Sequence, residues 1–199
     1  QLQRRGVASV YLSDQESVFA SAEAQDLVYW LRAVAAPLDV RAVRAGLATS
    51  MMGLSLEELA WLARNDEAFD AHSALLAKLH GVWQRQGVLA MLRQTLHRMD
   101  LPARWLSEVG GERRLTNFLH LAELLQNASA TLEGEQAVIR WLGMQVQEPG
   151  AGSEEQVVRL ESDADLVKIV TVHKSKGLEY PIVFLPFAAD FRTYSDDWV

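Results

Sequence analysis

Residues 166–187 read LVKIVTVHKSKGLEYPIVFLPF, two apolar runs flanking a short basic loop. Val167, Ile169, Val170 and Val172 make one β-branched run, and residues 182–185 (IVFL) make a second. Each has the length and composition of a strand buried on both faces, as in a parallel sheet. Between them, His173, Lys174, Ser175, Lys176 and Gly177 put imidazole, hydroxyl and two ammonium groups where the first strand ends. Open α/β sheets bind ligands at that edge. Three of the four lysines (Lys168, Lys174, Lys176) fall here, and no acid stands between Asp165 and Glu179. Phosphate is the natural guest of such a loop, although a plain strand–loop–strand with solvated lysines has the same spacing.

The local cationic character contrasts with a formal net charge of −7 over 199 residues. An acidic chain is a poor general coat for nucleic acid, so any DNA contact must be local. With 49% apolar residues the chain can bury one good core or two small ones, and no apolar run reaches the length of a membrane span. No signal peptide is visible, and the absence of cysteine removes disulfides, thiol catalysis and cysteine-ligated metal sites, in keeping with a reducing cytoplasm. The five histidines (72, 80, 97, 120, 173) contain no i, i+4 pair, so no metal site is expected. No Gly-x-x-x-x-Gly-Lys-Ser/Thr string occurs, so nothing here can hold a triphosphate and its magnesium in the P-loop manner. The chain begins at Gln1 and runs almost at once into a strand, which reads as a piece of a larger protein without catalytic residues of its own.

Residues 7–12 (VASVYL) read as a short strand followed by a polar turn. Ser21 can cap a helix whose apolar positions Ala24, Leu27, Val28, Leu31 and Val34 recur at helical spacing until Pro37 stops it. From 39 to 147 the periodicity stays helical. The segments 39–48, 56–64, 66–86, 88–99 and 103–109 are amphipathic, and Ser55 with Glu58 forms a capping box. Leu115, Phe118, Leu119, Ala122 and Leu125 stripe one further helix. Trp61, Trp83, Trp105 and Trp141 are read as packing residues. Stacking on unpaired bases would need basic residues beside them on one exposed face. Residues 148–156, with Pro149, Gly150, Gly152 and Ser153, have linker composition.

The string Thr-x-His-x-x-Lys-Gly-Leu-Glu-aromatic-Pro at 171–181 closely resembles motif V of the UvrD-like superfamily 1 DNA helicases. Gly6, Tyr11, Phe19, Glu23, Asp26, Tyr29, Leu31 and Arg32 fall in the pattern that follows motif IV of that family, so the resemblance covers nearly the whole chain. It implies that Thr171, His173 and Lys174 face single-stranded DNA, while Lys176, Gly177 and Glu179 face ATP, with Glu179 on the ribose. It also implies the fold: a partial RecA-like parallel α/β unit formed by both chain ends (1–38 and 157–199), with an inserted all-helical domain at 39–147. Glu23 and Arg32 are expected in structural ion pairs.

The family places a Thr-Arg-Gly-Ile-Gly loop, which grips duplex phosphates, where this chain has Thr49-Ser50-Met51-Met52-Gly53-Leu54. The arginine and the second glycine are missing. Residues 111–118 (GERRLTNF) resemble the family's Arg-x-x-Asn-Leu helix start, with Arg113 and Arg114 as expected surface or inter-domain anchors. In detail the chain is most similar to members that join an ATP- and Mg2+-dependent 3′-to-5′ motor to a C-terminal nuclease. These act on double-strand DNA ends with a single-stranded 3′ tail, in the cytoplasm, beside a gamma and an alpha subunit. A stretch of this kind would hold neither ATP nor Mg2+ stably by itself. The competing reading is a non-catalytic helical module that binds protein or DNA.

Overall fold

The computed structural model describes residues 5, 9–12, 17–149, 167–170, 172, 175–176 and 179–185. The chain divides into two compact units, one of Gln1–Ser13 with Asp165–Val199 and the other of Asp14–Ala164.

In the first unit, β1 (Ser9–Leu12) and β2 (Val167–Val170) pair in parallel, with Ser9 opposite Val167 and Leu12 opposite Val170. The second apolar run departs from expectation. Residues 182–185 form no strand, and Ile182, Val183, Phe184 and Leu185 are all exposed, Phe184 at 84%. A strand needs a neighbour to take its backbone hydrogen bonds, and the one ladder among the described residues is that between β1 and β2.

The second unit is helical. A 3-10 turn (Val18–Ala20) leads into α1 (Ala22–Ala35), α2 (Val40–Leu47), α3 (Leu56–Leu62), α4 (Asp66–Gln86), α5 (Val88–Arg98), α6 (Leu101–Leu106), α7 (Gly111–Ser129) and α8 (Glu135–Gln147). At the starts of α1 to α4, side chains accept from free N–H groups of the first turn. Ser21 Oγ accepts from Ala24 N at 3.3 Å, and Asp39 Oδ1 accepts from Arg41 N at 2.9 Å. Ser55 and Glu58 close the capping box, with Ser55 N donating to Glu58 Oε2 at 2.7 Å. At α5 the cap residue is Gly87, which has no side chain to offer, and Gln126 Oε1 of α7 accepts from Leu89 N at 3.3 Å instead. The helix expected at 103–109 begins two residues earlier, because Pro102 fits the first turn, where no N–H is needed.

The core gathers around α1, whose Ala24, Leu27, Val28, Trp30, Leu31, Ala33 and Val34 are all buried. A helix apolar on several sides must have neighbours on several sides, and α1 packs on α2, α4, α7 and α8. α1 therefore lies in the same compact unit as the helices that follow it. Two local features set the spacing. A Cβ on Gly46 would lie 2.7 Å from Ala33 Cβ, so α2 approaches α1 where both have minimal side chains. Trp30 Nε1 donates to the buried Thr95 Oγ1 at 3.2 Å, tying α1 to α5. Phe19 meets Trp141 edge-on at 5.5 Å, and His80 Nε2 lies 2.8 Å from Glu135 Oε2, linking α4 to the start of α8. Trp83 and Trp105 are buried as expected, whereas Trp61 is 53% exposed on the short α3.

Candidate functional site

The loop that follows β2 is the first candidate. Val172 is exposed, and Ser175 Oγ donates to Val172 O at 2.8 Å, closing a short turn directly after the strand. Lys176 and Glu179 are both exposed, and among the described residues neither takes part in a hydrogen bond or ion pair. An ammonium and a carboxylate, solvated and three positions apart, are free to meet a phosphate and a hydroxyl respectively. Thr171, His173, Lys174 and Gly177 lie outside the described residues. Among the described residues no group of three or more His, Asp or Glu side chains could hold a metal ion, and no helix is long and apolar enough to cross a membrane.

The second candidate is the turn at 49–54, where a polar network gathers residues far apart in sequence. Gly53 has φ +65, a conformation that favours glycine. Asp26 Oδ2, from α1, accepts from Ser50 Oγ at 2.6 Å and from Met51 N at 2.7 Å. Arg104 Nη2, from α6, donates to Met52 O at 2.5 Å. Arg114 Nη2, from α7, donates to Ser50 O at 2.7 Å and to Ser50 Oγ at 3.0 Å.

Arg114 is the hub. Its Nη1 lies 3.2 Å from Glu108 Oε2, its Nε lies 3.7 Å from Glu23 Oε1, and its guanidinium sits 5.3 Å from the Trp105 ring centre. Glu23 also accepts from Asn117 Nδ2 at 3.0 Å. Glu23 is thus in an ion pair, while Arg32 is exposed and has none among the described residues. The turn's hydrogen-bond partners are internal: both guanidinium groups point at loop carbonyls. Beside it, Glu58 is held below the usual 4.5, first by the Ser55 backbone N–H, then by the Ser55 hydroxyl, with the Arg104 charge contributing.

The sequence pattern marked Asp26 and Arg114 singly, but nothing in it joined them to Ser50. Contacts spanning 25, 52 and 64 positions carry no periodicity that could be read in advance.

Residues 83–193 match the profile of the UvrD-like helicase C-terminal domain, more than half of the chain, and the chain belongs to that family. It is also similar along nearly its whole length to proteins named RecBCD enzyme subunit RecB. It is 45% identical over 186 residues to that of Escherichia coli strain K12, covering 94% of this chain and 16% of that protein. Against the Haemophilus influenzae protein it is 45% identical over 189 residues, 95% of this chain and 15% of the relative. Against that of Mycobacterium tuberculosis strain H37Rv it is 38% identical over 197 residues, 98% and 18% of the two. The chain spans less than one fifth of the length of these curated relatives.

Proposed function

We propose that this chain forms part of the helicase subunit of an ATP-dependent, RecBCD-type enzyme that processes double-strand DNA ends in the cytoplasm. RecC-like gamma and RecD-like alpha subunits are its partners. Its contribution is the loop at 171–179, which couples nucleotide state to the grip on single-stranded DNA. Thr171, His173 and Lys174 contact the DNA backbone, and Lys176, Gly177 and Glu179 contact the nucleotide. The observation that carries this reading is the string at 171–181 in a chain of the UvrD-like family, placed directly after the parallel β2. The exposed, unpaired Lys176 and Glu179 fit it: the carboxylate can accept from ribose hydroxyls, and the ammonium can face a phosphate. When bound, ATP with Mg2+ supplies the phosphoryl chemistry; these residues only bind and orient it. Residues from both chain ends then belong to one RecA-like parallel sheet, with the helical residues inserted between them.

The 199-residue chain supplies a direct test. It should release phosphate from ATP no faster than buffer with DNA present. It should bind a single-stranded oligonucleotide weakly, with a shallow salt dependence, because few phosphates are neutralised. Lys174→Gln with Lys176→Gln should abolish that binding in an anisotropy titration. Tight binding that survives both substitutions and physiological salt would place DNA elsewhere on the chain.

A further inference from the structure

A cleft of roughly 430 Å³ lies on the helical unit between the start of α1 and the start of α7, with Ser17, Ser21, Glu23, Gly110, Arg113 and Asn117 among its walls. Three observations concern ligand-binding capacity here. First, α7 is a 19-residue helix whose cap position, Gly110, is in the left-handed region at φ +83 with no side-chain cap, and Gly110 and Arg113 of this helix start line the cleft. Second, Arg113 is half-buried and takes part in no hydrogen bond or ion pair, whereas the adjacent Arg114 is fully engaged. Third, Asn117 is only 5% exposed, and its Oδ1 has no hydrogen-bond partner while its Nδ2 is held by Glu23. Reversing the amide would set Oδ1 against the Glu23 carboxylate, so the orphan is an acceptor. A buried acceptor left unpaired is costly, and a donor on a ligand would relieve that cost.

Among the described residues the cleft therefore offers one free cation beside a helix N-terminus for an anion, and a buried acceptor for an adjacent N–H. Its setting argues against nucleic acid. Glu23, in its wall, and Glu108 already pair with Arg114, and a polyanion gains affinity only by neutralising many phosphates. The flank is apolar as well: Val109, next to Gly110, is fully exposed, and Leu106 is 54% exposed.

We propose that this cleft docks an extended segment of a partner protein that presents one Asp or Glu side chain, a neighbouring backbone N–H and an apolar residue. The carboxylate pairs with the Arg113 guanidinium at the start of α7, the backbone N–H donates to Asn117 Oδ1, and the apolar side chain covers Val109 and Leu106.

The probe is acetyl-Gly-Glu-Leu-amide, with acetyl-Gly-Gln-Leu-amide, inorganic phosphate and a single-stranded oligonucleotide as comparisons. Each is titrated into the 15N-labelled chain while the Glu112 and Arg113 amide signals are followed. The acidic peptide should shift both signals and saturate in the millimolar range, its glutamine counterpart should bind at least tenfold more weakly, and phosphate and DNA should leave the cleft signals unmoved. Arg113→Gln, on a half-exposed side chain without partners, should fold with an unchanged circular dichroism spectrum and lose at least tenfold in peptide affinity. The proposal is overturned if the acidic peptide does not bind, if its binding ignores Arg113→Gln, or if phosphate or the oligonucleotide takes the cleft more tightly.

Discussion

The Asp26 carboxylate accepts the backbone N–H of Met51 at 2.7 Å, fastening the turn that precedes α3 to the central helix α1. The same oxygen accepts from Ser50 Oγ at 2.6 Å. Asp26→Ala should therefore destabilise the helical unit by about 1.5–3 kcal/mol, the range for hydrogen bonds to a charged group. Urea unfolding followed by circular dichroism measures it. Asp26→Asn, which keeps one neutral acceptor, should fall between the two. A wild-type midpoint for Asp26→Ala would mean that the turn is held by Arg104 and Arg114 alone.

Thr95 offers a cleaner case, because its hydroxyl is buried and accepts from the Trp30 indole at 3.2 Å while donating to Met91 O at 3.1 Å. Thr95→Val keeps the shape and orphans the indole N–H, so it should cost about 1–3 kcal/mol. Thr95→Ser should cost less. Denaturant midpoints for the two variants decide, and a loss confined to Thr95→Ser would assign the effect to packing at the methyl group rather than to the hydrogen bond.

Gly110 and Gly111 are adjacent but constrained for different reasons. A Cβ on Gly110 meets nothing, so Gly110→Ala should cost only the left-handed conformation, about 1–2 kcal/mol. A Cβ on Gly111 would fall on the Trp105 carbonyl, which cannot yield without moving α6. Gly111→Ala should cost more than Gly110→Ala and perturb the near-ultraviolet signal of Trp105. The reverse order of midpoints would refute the close approach.

The capping box at α3 should titrate. Glu58 is held below its usual 4.5 chiefly by the Ser55 backbone N–H, so its folded value is depressed. A depressed carboxylate stabilises the folded state above the unfolded value, and that contribution is lost as pH falls through the folded one. Wild type should exceed Glu58→Gln in denaturant midpoint at neutral pH, and the gap should close below pH 4.5. A gap that persisted in acid would show that shape, and not charge, carries the cap.

Where local chemistry decides, the fold was legible in advance. The Ser55/Glu58 box, Asp66–Gln86 and the start of α5 at Val88 all come from caps and periodicity within a few residues. Elements that depend on distant partners were not. Residues 182–185 have strand composition, yet they stand exposed without a ladder. The membership of α1 in the helical core follows from its neighbours, not from its own pattern. Trp61 lies on a helix of seven residues, too short to bury every face, and so differs from Trp83 and Trp105. Of the site, the 171–181 string was legible as a motif, whereas the Asp26–Ser50–Arg114 network joins three segments that only the fold brings together.

The central claim is that one loop reads both DNA and nucleotide, and it is tested most directly in the full-length protein assembled with its partners. On this account His173→Ala deletes one hydrogen bond to a DNA phosphate, worth about 0.5–3 kcal/mol, and Glu179→Gln weakens the proposed acceptor for the ribose hydroxyls. DNA-stimulated ATP hydrolysis and nucleotide affinity are measured for each. The account predicts that His173→Ala loses DNA stimulation with nucleotide affinity nearly intact, and that Glu179→Gln loses nucleotide affinity with DNA binding retained. DNA stimulation unchanged in a folded His173→Ala would contradict the account, and so would a His173→Ala protein that fails to fold, which would make the histidine a core residue.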